Sequence, residues 1–466
     1  MYRSPHIVLI VLDCVRAQNL SCYGYKRPTT PNIDRVAEEG VCYRQAATVG
    51  TWTVPTHATL FTGTYPATHG AVNGHAYLDN HVITLTEVLK RMGYVTVGVS
   101  NNGWVSRATG IARGFDAFEE KYRMPRGLRR RLFSGYRRMR SALSPGEKES
   151  ARRTRRSVLR WLKHMAAEDR PYFLFIHLND AHSPYAPPPP FARRFLGDTS
   201  LRLARKVNQD NTAWLAGAAE MDEQDWALLT ALYDGELAYL DHQVASFLSA
   251  MRELNLLDRT LLIITADHGE NLGEHGLIGH GYCLYDTIVR IPLLIRYPPL
   301  FSGGQVVDTP VSLVDLFPTV VDVIEGDPGD AAAQWKGASF HPDRLDHRPY
   351  PFTVSVRQVY EPVLRKRFAP YPSFDLSPYA RSAWALRDGK WKYILHENGE
   401  EELYDLEADP NELQNLATEH PQQAVNQRKQ LLSVCDSWRA PVPEEKPEPE
   451  WDEELVEHLR GLGYIA

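Results

Sequence analysis

Four short stretches of this sequence carry residues that can do chemistry on an anionic ester. Asp13, the pair Asp267-His268 and the run His177-Leu-Asn-Asp-Ala-His182 supply carboxylates and imidazoles, the side chains that hold a divalent metal ion. The fourth stretch is Thr51-Trp-Thr-Val-Pro-Thr-His-Ala-Thr-Leu-Phe-Thr-Gly63. Pro55 suits the first turn of a helix and Ala58–Phe61 is a good helical run, so Thr53 falls at or near the N-cap. A hydroxyl there faces the free N–H groups and the positive end of the helix dipole, which favour a phosphate or sulfate group. Singly, each feature has an ordinary reading as a cap or turn residue. Together they define a candidate site.

The elements that must position these residues are strands. His6–Leu12 is a continuous apolar run ending on Asp13, Tyr172–Ile176 precedes His177, and Leu261–Thr265 precedes Asp267. Such runs read as buried parallel strands, and in an open parallel sheet ligands sit beyond the carboxyl ends. Between them, helices are expected over Thr30–Gly40, Ile83–Met92, Asp222–Arg252 and Val311–Glu325, and further strands over Tyr94–Ser100 and Ile291–Arg296. Strands alternating with helices predict an α/β fold with a mostly parallel central sheet flanked by helices. After about residue 375 the pattern changes. Asp388-Gly389 between two β-rich runs signals a hairpin, a helix follows near Pro421–Trp438, Pro441–Pro449 reads as an extended linker, and Glu454–Gly463 is amphipathic. We therefore expect a catalytic domain over 1–375 and a small C-terminal α+β subdomain over 376–466.

The 466 residues, 43% hydrophobic, suffice for a large core. The net charge of -6 argues against a nucleic-acid partner. No apolar stretch approaches the roughly 20 residues of a membrane span. A signal-peptide cleavage after the first apolar run would remove Asp13, so a cytoplasmic location is expected. The five cysteines are scattered and outside CxxC spacing, as expected of free thiols. Residues 121–165 hold sixteen Lys or Arg opposed by Glu147 and Glu149. This reads as a helical insertion that is either simply solvated or a guide for an anionic substrate or a membrane surface.

The motifs closely resemble the alkaline phosphatase/sulfatase superfamily. Leu12-Asp-Cys-Val-Arg-Ala-Gln-Asn-Leu-Ser-Cys-Tyr-Gly-Tyr25 and Thr30-Pro-Asn-Ile-Asp-Arg-Val-Ala-Glu-Glu-Gly-Val41 are similar to the family's opening motif. Thr53-Val-Pro-Thr-His57 with Leu60-Phe-Thr-Gly63 is similar to its nucleophile signature, and Asp267-His-Gly-Glu-Asn-Leu-Gly-Glu-His-Gly276 to its second metal motif. Leu403–Leu416 and Leu459–Tyr464 are similar to its C-terminal part. The resemblance implies an alkaline phosphatase-like fold and a metal-dependent ester hydrolase or transferase. Asp13, Thr53, Asp267 and His268 would bind a divalent ion, Zn²⁺ or Mn²⁺ foremost and Mg²⁺ or Ca²⁺ as alternatives, one or two per site.

The departures bear on the chemistry. Sulfatases mature a Cys or Ser into an aldehyde, and the residue here is Thr53, whose oxidation would give a ketone. A plain Thr is the nucleophile of phosphodiesterases and phosphoethanolamine or phosphoglycerol transferases in the same superfamily, so a phosphoester hydrolase or phosphotransferase is expected. A sulfatase acting without the aldehyde is the alternative, and a non-catalytic anion-binding protein a second one. The signature Arg is His57, the family's Gly-Lys-x-His stretch falls on Ser100-Asn101-Asn102-Gly103, the Lys after the metal motif is His280, and the second Asp of the opening pair is Cys14. By this resemblance Thr53, His182 and His280 are catalytic, His182 and His280 either protonating the leaving group or binding a second metal. His57 and Asn101 contact substrate. His177 is expected behind the ligands, while His69, His75 and His275 have no assigned role.

Overall fold

The computed structural model describes residues 4–123, 148–347, 352–437 and 451–461. Its centre is an eight-stranded sheet with the order Gln305–Val307, Val41–Tyr43, Leu293–Arg296, Thr260–Ala266, His6–Leu12, Tyr172–Leu178, Val95–Ser100 and Ala117–Glu120. The three middle strands are buried at every position, which is why their sequences are uniformly apolar rather than alternating. Seven strands share one direction. Leu293–Arg296 runs against both neighbours, an antiparallel member that its apolar run could not announce.

Helices pack both faces. The long helix Glu223–Glu253 starts with a capping box between Asp222 and Asp225, worth about 1 kcal/mol. Helix Pro31–Glu39 has no side-chain cap from Thr30, the residue before it. The Thr30 hydroxyl donates to Asp34, and the first free amides, of Asn32 and Ile33, both donate to Asp241 on the long helix at 2.9 Å. Leu85–Arg91 is held by a Thr84–Glu87 capping box. Where one helix was expected over Val311–Glu325, Val311–Ser312 pairs as a strand with Ala46–Ala47 and Leu313–Asp315 is a 3-10 turn. The helix proper is Leu316–Val323, because Ser312 and Asp315 bond each other's backbones in a capping box.

A second, four-stranded antiparallel sheet runs Phe352–Arg357, Ala383–Asp388, Trp391–His396 and Glu401–Asp405, its first strand lying before residue 375. Asp388 and Trp391 close the expected hairpin, with Gly389 at φ 57, a left-handed position suited to glycine. One face packs Leu386, Tyr393 and Leu403 on Ala424 and Leu431 of helix Pro421–Ser437. The other packs Ala383, Ala385 and Ile394 on Leu277, Leu284 and Ile288 of the main body. Of the basic stretch, Glu149–Ala167 is a helix and 124–147 lies outside the described residues, as does the Pro/Glu-rich 441–449. Helix Glu453–Gly461 buries Leu455 and Leu459 in the main core. Among the described residues no helix is long and apolar enough to cross a membrane.

Candidate active site

Strand register sets the site. Leu12 lies opposite both Leu178 and Ala266, so Asp13 and Asp267 leave the sheet side by side. His177 lies opposite Val11 and Ser100, one step below them. Just past Asp13 the chain turns through Cys14 at φ 62, a left-handed conformation that costs a non-glycine residue of order 1 kcal/mol or more. That turn aims the Cys14 amide at Asp267 Oδ1 (3.2 Å), which also accepts from the His268 amide (2.8 Å). Asp267 Oδ2 is left with no hydrogen-bond partner in a fully buried place. It lies 3.5 Å from His268 Nε2 and 3.8 Å from His57 Nδ1.

The remaining bonds fix which atoms face the centre. His268 Nδ1 donates to the Gly269 carbonyl at 2.9 Å, leaving Nε2 with its lone pair and no partner. Asp13 Oδ2 accepts from Asn102 Nδ2 at 2.8 Å and lies 3.5 Å from His177 Nε2. Asp13 Oδ1 is 3.2 Å from Cys14 Sγ and 3.9 Å from His268 Nε2. Asp13, Asp267 and His268 thus bring one ligand atom each within 4.8 Å of one another.

Thr53 is the first residue of helix Thr53–Thr62, following Trp52 at the N-cap, and all ten helical residues are buried. His57, one turn on, donates from Nδ1 to the Thr53 carbonyl at 2.8 Å. Its ring lies 4.9 Å from that of His177, and His57, His177 and Asp267 form a second group of ligand atoms within 4.8 Å. Burial lowers the His57 pKa to about 3, against the opposing bond to Thr53, so this imidazole is neutral.

His182 and His280 complete the cluster, their rings 5.2 Å apart. His182 Nδ1 donates to the Ser183 carbonyl at 2.6 Å. His280 Nδ1 lies 3.0 Å from Glu270 Oε1 and 3.7 Å from Cys14 Sγ. Burial depresses both histidines. It raises the carboxylates: Asp13 to about 6, helped by Asp267, and Asp267 to about 7 against its amide donors, with Glu270 also shifted upward. Among the described residues no Lys or Arg side chain pairs with any of these three carboxyl groups. Buried carboxylates without a cation are costly. A divalent ion among Asp13, Asp267 and His268 would meet that need, and the donor set fits one.

The structure gathers Asp13, Thr53, His57, His182, Asp267, His268 and His280 at one end of the sheet. Asn101 donates from Nδ2 to Asn179 Oδ1 at 2.8 Å, toward the His177–His182 loop. Its neighbour Asn102 is the residue that bonds Asp13. Three further residues belong to the cluster beyond those expected. Glu270 holds His280, and its signal was its place in the Asp-His-Gly-Glu run. Cys14 lies among the ligands, where it had registered only as a missing Asp. His177, expected behind them, faces Asp13 directly.

The chain matches the family model "Sulfatase" over residues 5–326 and the model "N-sulphoglucosamine sulphohydrolase, C-terminal" over 273–435. It is 24% identical to the uncharacterized sulfatase YidJ of Escherichia coli (strain K12), covering 89% of this chain and 83% of that protein. It is 25% identical to arylsulfatase K of Canis lupus familiaris, covering 93% and 83%. Its fold is similar to the crystal structure of the phosphonate monoester hydrolase of Agrobacterium radiobacter, with a TM-score of 0.70 at 21% identity, covering 93% of this chain and 96% of that one. With the parallel sheet, the carboxylate–histidine cluster at its carboxyl end and a family match across most of its length, the chain belongs to the sulfatase family of hydrolases, within the alkaline phosphatase-like superfamily.

Proposed function

We propose that this chain is a metal-dependent phosphoester hydrolase or phosphotransferase in which the Thr53 hydroxyl is the nucleophile. The observation that carries this is the residue itself. A threonine, with no cysteine or serine to mature into an aldehyde, begins the buried helix Thr53–Thr62 beside the Asp267–His57–His177 group. An alkoxide that forms a phospho-threonine is released by water attacking phosphorus, so no aldehyde is required.

Asp13, Asp267 and His268 would hold the ion, which supplies Lewis-acid polarisation of a phosphoryl oxygen and lowers the hydroxyl pKa. The chain's own residues do the rest. The free N–H groups of the first turn after Trp52 receive the anionic oxygens. His57, neutral and bonded to the Thr53 carbonyl, fixes the backbone on which the nucleophile sits. Asn102 and Asn101 orient Asp13 and the His177–His182 loop. His182 and His280 face each other where a leaving oxygen would depart, and Glu270 sets the ring of His280. The family match and the arylsulfatase K likeness favour a second reading, sulfate-ester cleavage by the plain threonine. The retained Asp13, Asp267 and His268 speak against a non-catalytic binding protein.

The test is turnover of p-nitrophenyl phosphate, bis-p-nitrophenyl phosphate, a p-nitrophenyl phosphonate monoester and p-nitrophenyl sulfate. Metal-stripped protein is supplied in turn with Zn²⁺, Mn²⁺, Mg²⁺ and Ca²⁺. Phosphoryl or phosphonyl cleavage should exceed sulfate cleavage, and Thr53→Ala should lower kcat by roughly 10⁴-fold or more with fold and metal content kept. Dominant sulfate cleavage would transfer the assignment to the second reading, and retained turnover in Thr53→Ala would remove the nucleophile.

A further inference from the structure

We propose that Cys14 is a metal ligand: its thiolate sulfur joins the Asp13, Asp267 and His268 donors in a sulfur-bearing position that selects zinc-like ions over magnesium and calcium. This rests on the reading that the centre holds a divalent cation and is independent of which ester is cleaved.

The separations support it. Four ligands around a tetrahedral zinc, with Zn–N and Zn–O near 2.0 Å and Zn–S near 2.3 Å, stand about 3.3–3.6 Å apart. Cys14 Sγ is 3.2 Å from Asp13 Oδ1 and 3.7 Å from His280 Nδ1, and Asp13 Oδ1 is 3.9 Å from His268 Nε2. Cys14, His268 and His280 each offer an atom within 4.8 Å of the others. The sulfur thus stands beside two of the ion's proposed holders, Asp13 and His268. Asp13, Cys14 and His268 are fully buried and His280 nearly so. The His268 Nε2 lone pair has no other partner, because Nδ1 is committed to the Gly269 carbonyl.

The backbone holds the sulfur in place. Cys14 sits in the left-handed region at φ 62, and its amide is tied to Asp267 Oδ1. A buried cysteine used only as a small apolar filler needs neither feature. Binding is a proton exchange without redox change: the S–H bond breaks, the sulfur lone pair goes to the ion and the proton leaves to solvent. His280 keeps its contact with Glu270 through Nδ1, and Glu270 remains a nearby carboxylate balancing the ion's charge. A soft thiolate among oxygen and imidazole donors favours Zn²⁺ or Co²⁺ and disfavours the hard ions.

The test uses the full chain, stripped of metal and loaded with Co²⁺. The wild type should show a near-ultraviolet sulfur-to-cobalt charge-transfer band. Cys14→Ser and Cys14→Asp should lose that band while keeping the visible cobalt absorption, and their preference for Zn²⁺ over Mg²⁺ should fall at least tenfold. Cobalt bound without the band in the wild type, or a band that persists in Cys14→Ser, overturns the ligand assignment alone. Failure to bind cobalt at all overturns both this proposal and the divalent-cation reading beneath it.

Discussion

Two clusters of buried charge lie in this molecule, and they are built on opposite rules. Beneath the C-terminal sheet, Lys392 bridges Asp286 Oδ1 at 2.8 Å and Glu412 Oε1 at 2.6 Å, and Arg387 reaches the other Asp286 oxygen at 3.1 Å. Two cations face two carboxylates, and the Asp286 amide donates to Glu412. Burial alone would raise the Asp286 pKa, but Lys392 and Arg387 hold it well below the usual carboxylate range. At the end of the main sheet, Asp13, Asp267 and Glu270 are buried among the described residues without such a cation, beside His57, His177, His182 and His280, whose pKa values burial lowers. The first cluster is complete without a ligand and fastens the C-terminal sheet to helix Asp286–Val289 of the main body. The second leaves its carboxylates without a cation, the opening that the proposed ion would fill. Buried charge by itself does not mark function here; unmatched charge does.

The comparison breaks most sharply at Lys392. Lys392→Met strands Glu412 and leaves Asp286 to Arg387 alone, and removing one partner of a buried pair costs about 3–5 kcal/mol. The urea midpoint should fall accordingly, while turnover per folded molecule and metal content stay at wild-type values. Retained stability would mean that the cluster is solvated rather than closed.

Neutralising a carboxylate in the other cluster should have the reverse sign. Without metal, Asp267 has its pKa raised from 3.8 to about 7, chiefly by burial. A raised acid loses its stabilising contribution as pH climbs from the unfolded value through the folded one. The penalty of keeping Asp267 therefore grows between about pH 4 and pH 7. The buried histidines, shifted downward, act oppositely, so the quantity to read is the difference between two proteins. In chelator, Asp267→Asn should gain on the wild type progressively as pH rises from about 4 to about 7. With saturating Zn²⁺ the order should invert, because an ion at 100 times its Kd adds about 2.7 kcal/mol to the protein that binds it. Thermal melts across pH with and without metal check both signs. A variant less stable than the wild type in chelator would show that Asp267 is structural.

What the sequence made legible follows from these two clusters. Asp13 and Asp267-His268 could be read because each ends an apolar run long enough to be a strand, and a parallel sheet gathers its carboxyl ends. Register could not be read, and register decides that Asn102 rather than Asn101 bonds Asp13. Cys14 looked like a gap in a motif because its left-handed turn toward Asp267 is a backbone property. The closed cluster gave no signal at all. Asp286 and Lys392 are 106 residues apart, and nothing local foretells their meeting. Helix Pro31–Glu39 teaches the same lesson on a smaller scale: its cap is Asp241, 208 residues from Ile33.

The smallest expected effect sharpens the comparison by asking how the two clusters communicate. Arg357, nearly buried on the first strand of the C-terminal sheet, donates Nε to the Gly281 carbonyl at 2.8 Å, Nη1 to the Arg381 carbonyl at 2.6 Å, and Nη2 to the Tyr379 carbonyl. Gly281 follows His280 directly, so this guanidinium ties the small sheet to the loop that presents an active-site imidazole. Lysine keeps the charge but has no planar fork to span three carbonyls. Arg357→Lys should cost about 1–2 kcal/mol through unmet buried carbonyls. It should also lower kcat by roughly tenfold through a displaced His280, since misplacement of about 1 Å can cost up to 10²-fold. Metal stoichiometry, which depends on Asp13, Asp267 and His268, should stay unchanged. The control is Arg381→Lys, whose side chain pairs with the exposed Glu400 and should move stability by at most about 0.5 kcal/mol. A kcat loss in Arg357→Lys without a metal loss places the C-terminal sheet in the catalytic architecture. Equal effects from the two arginines would reduce that sheet to a cover.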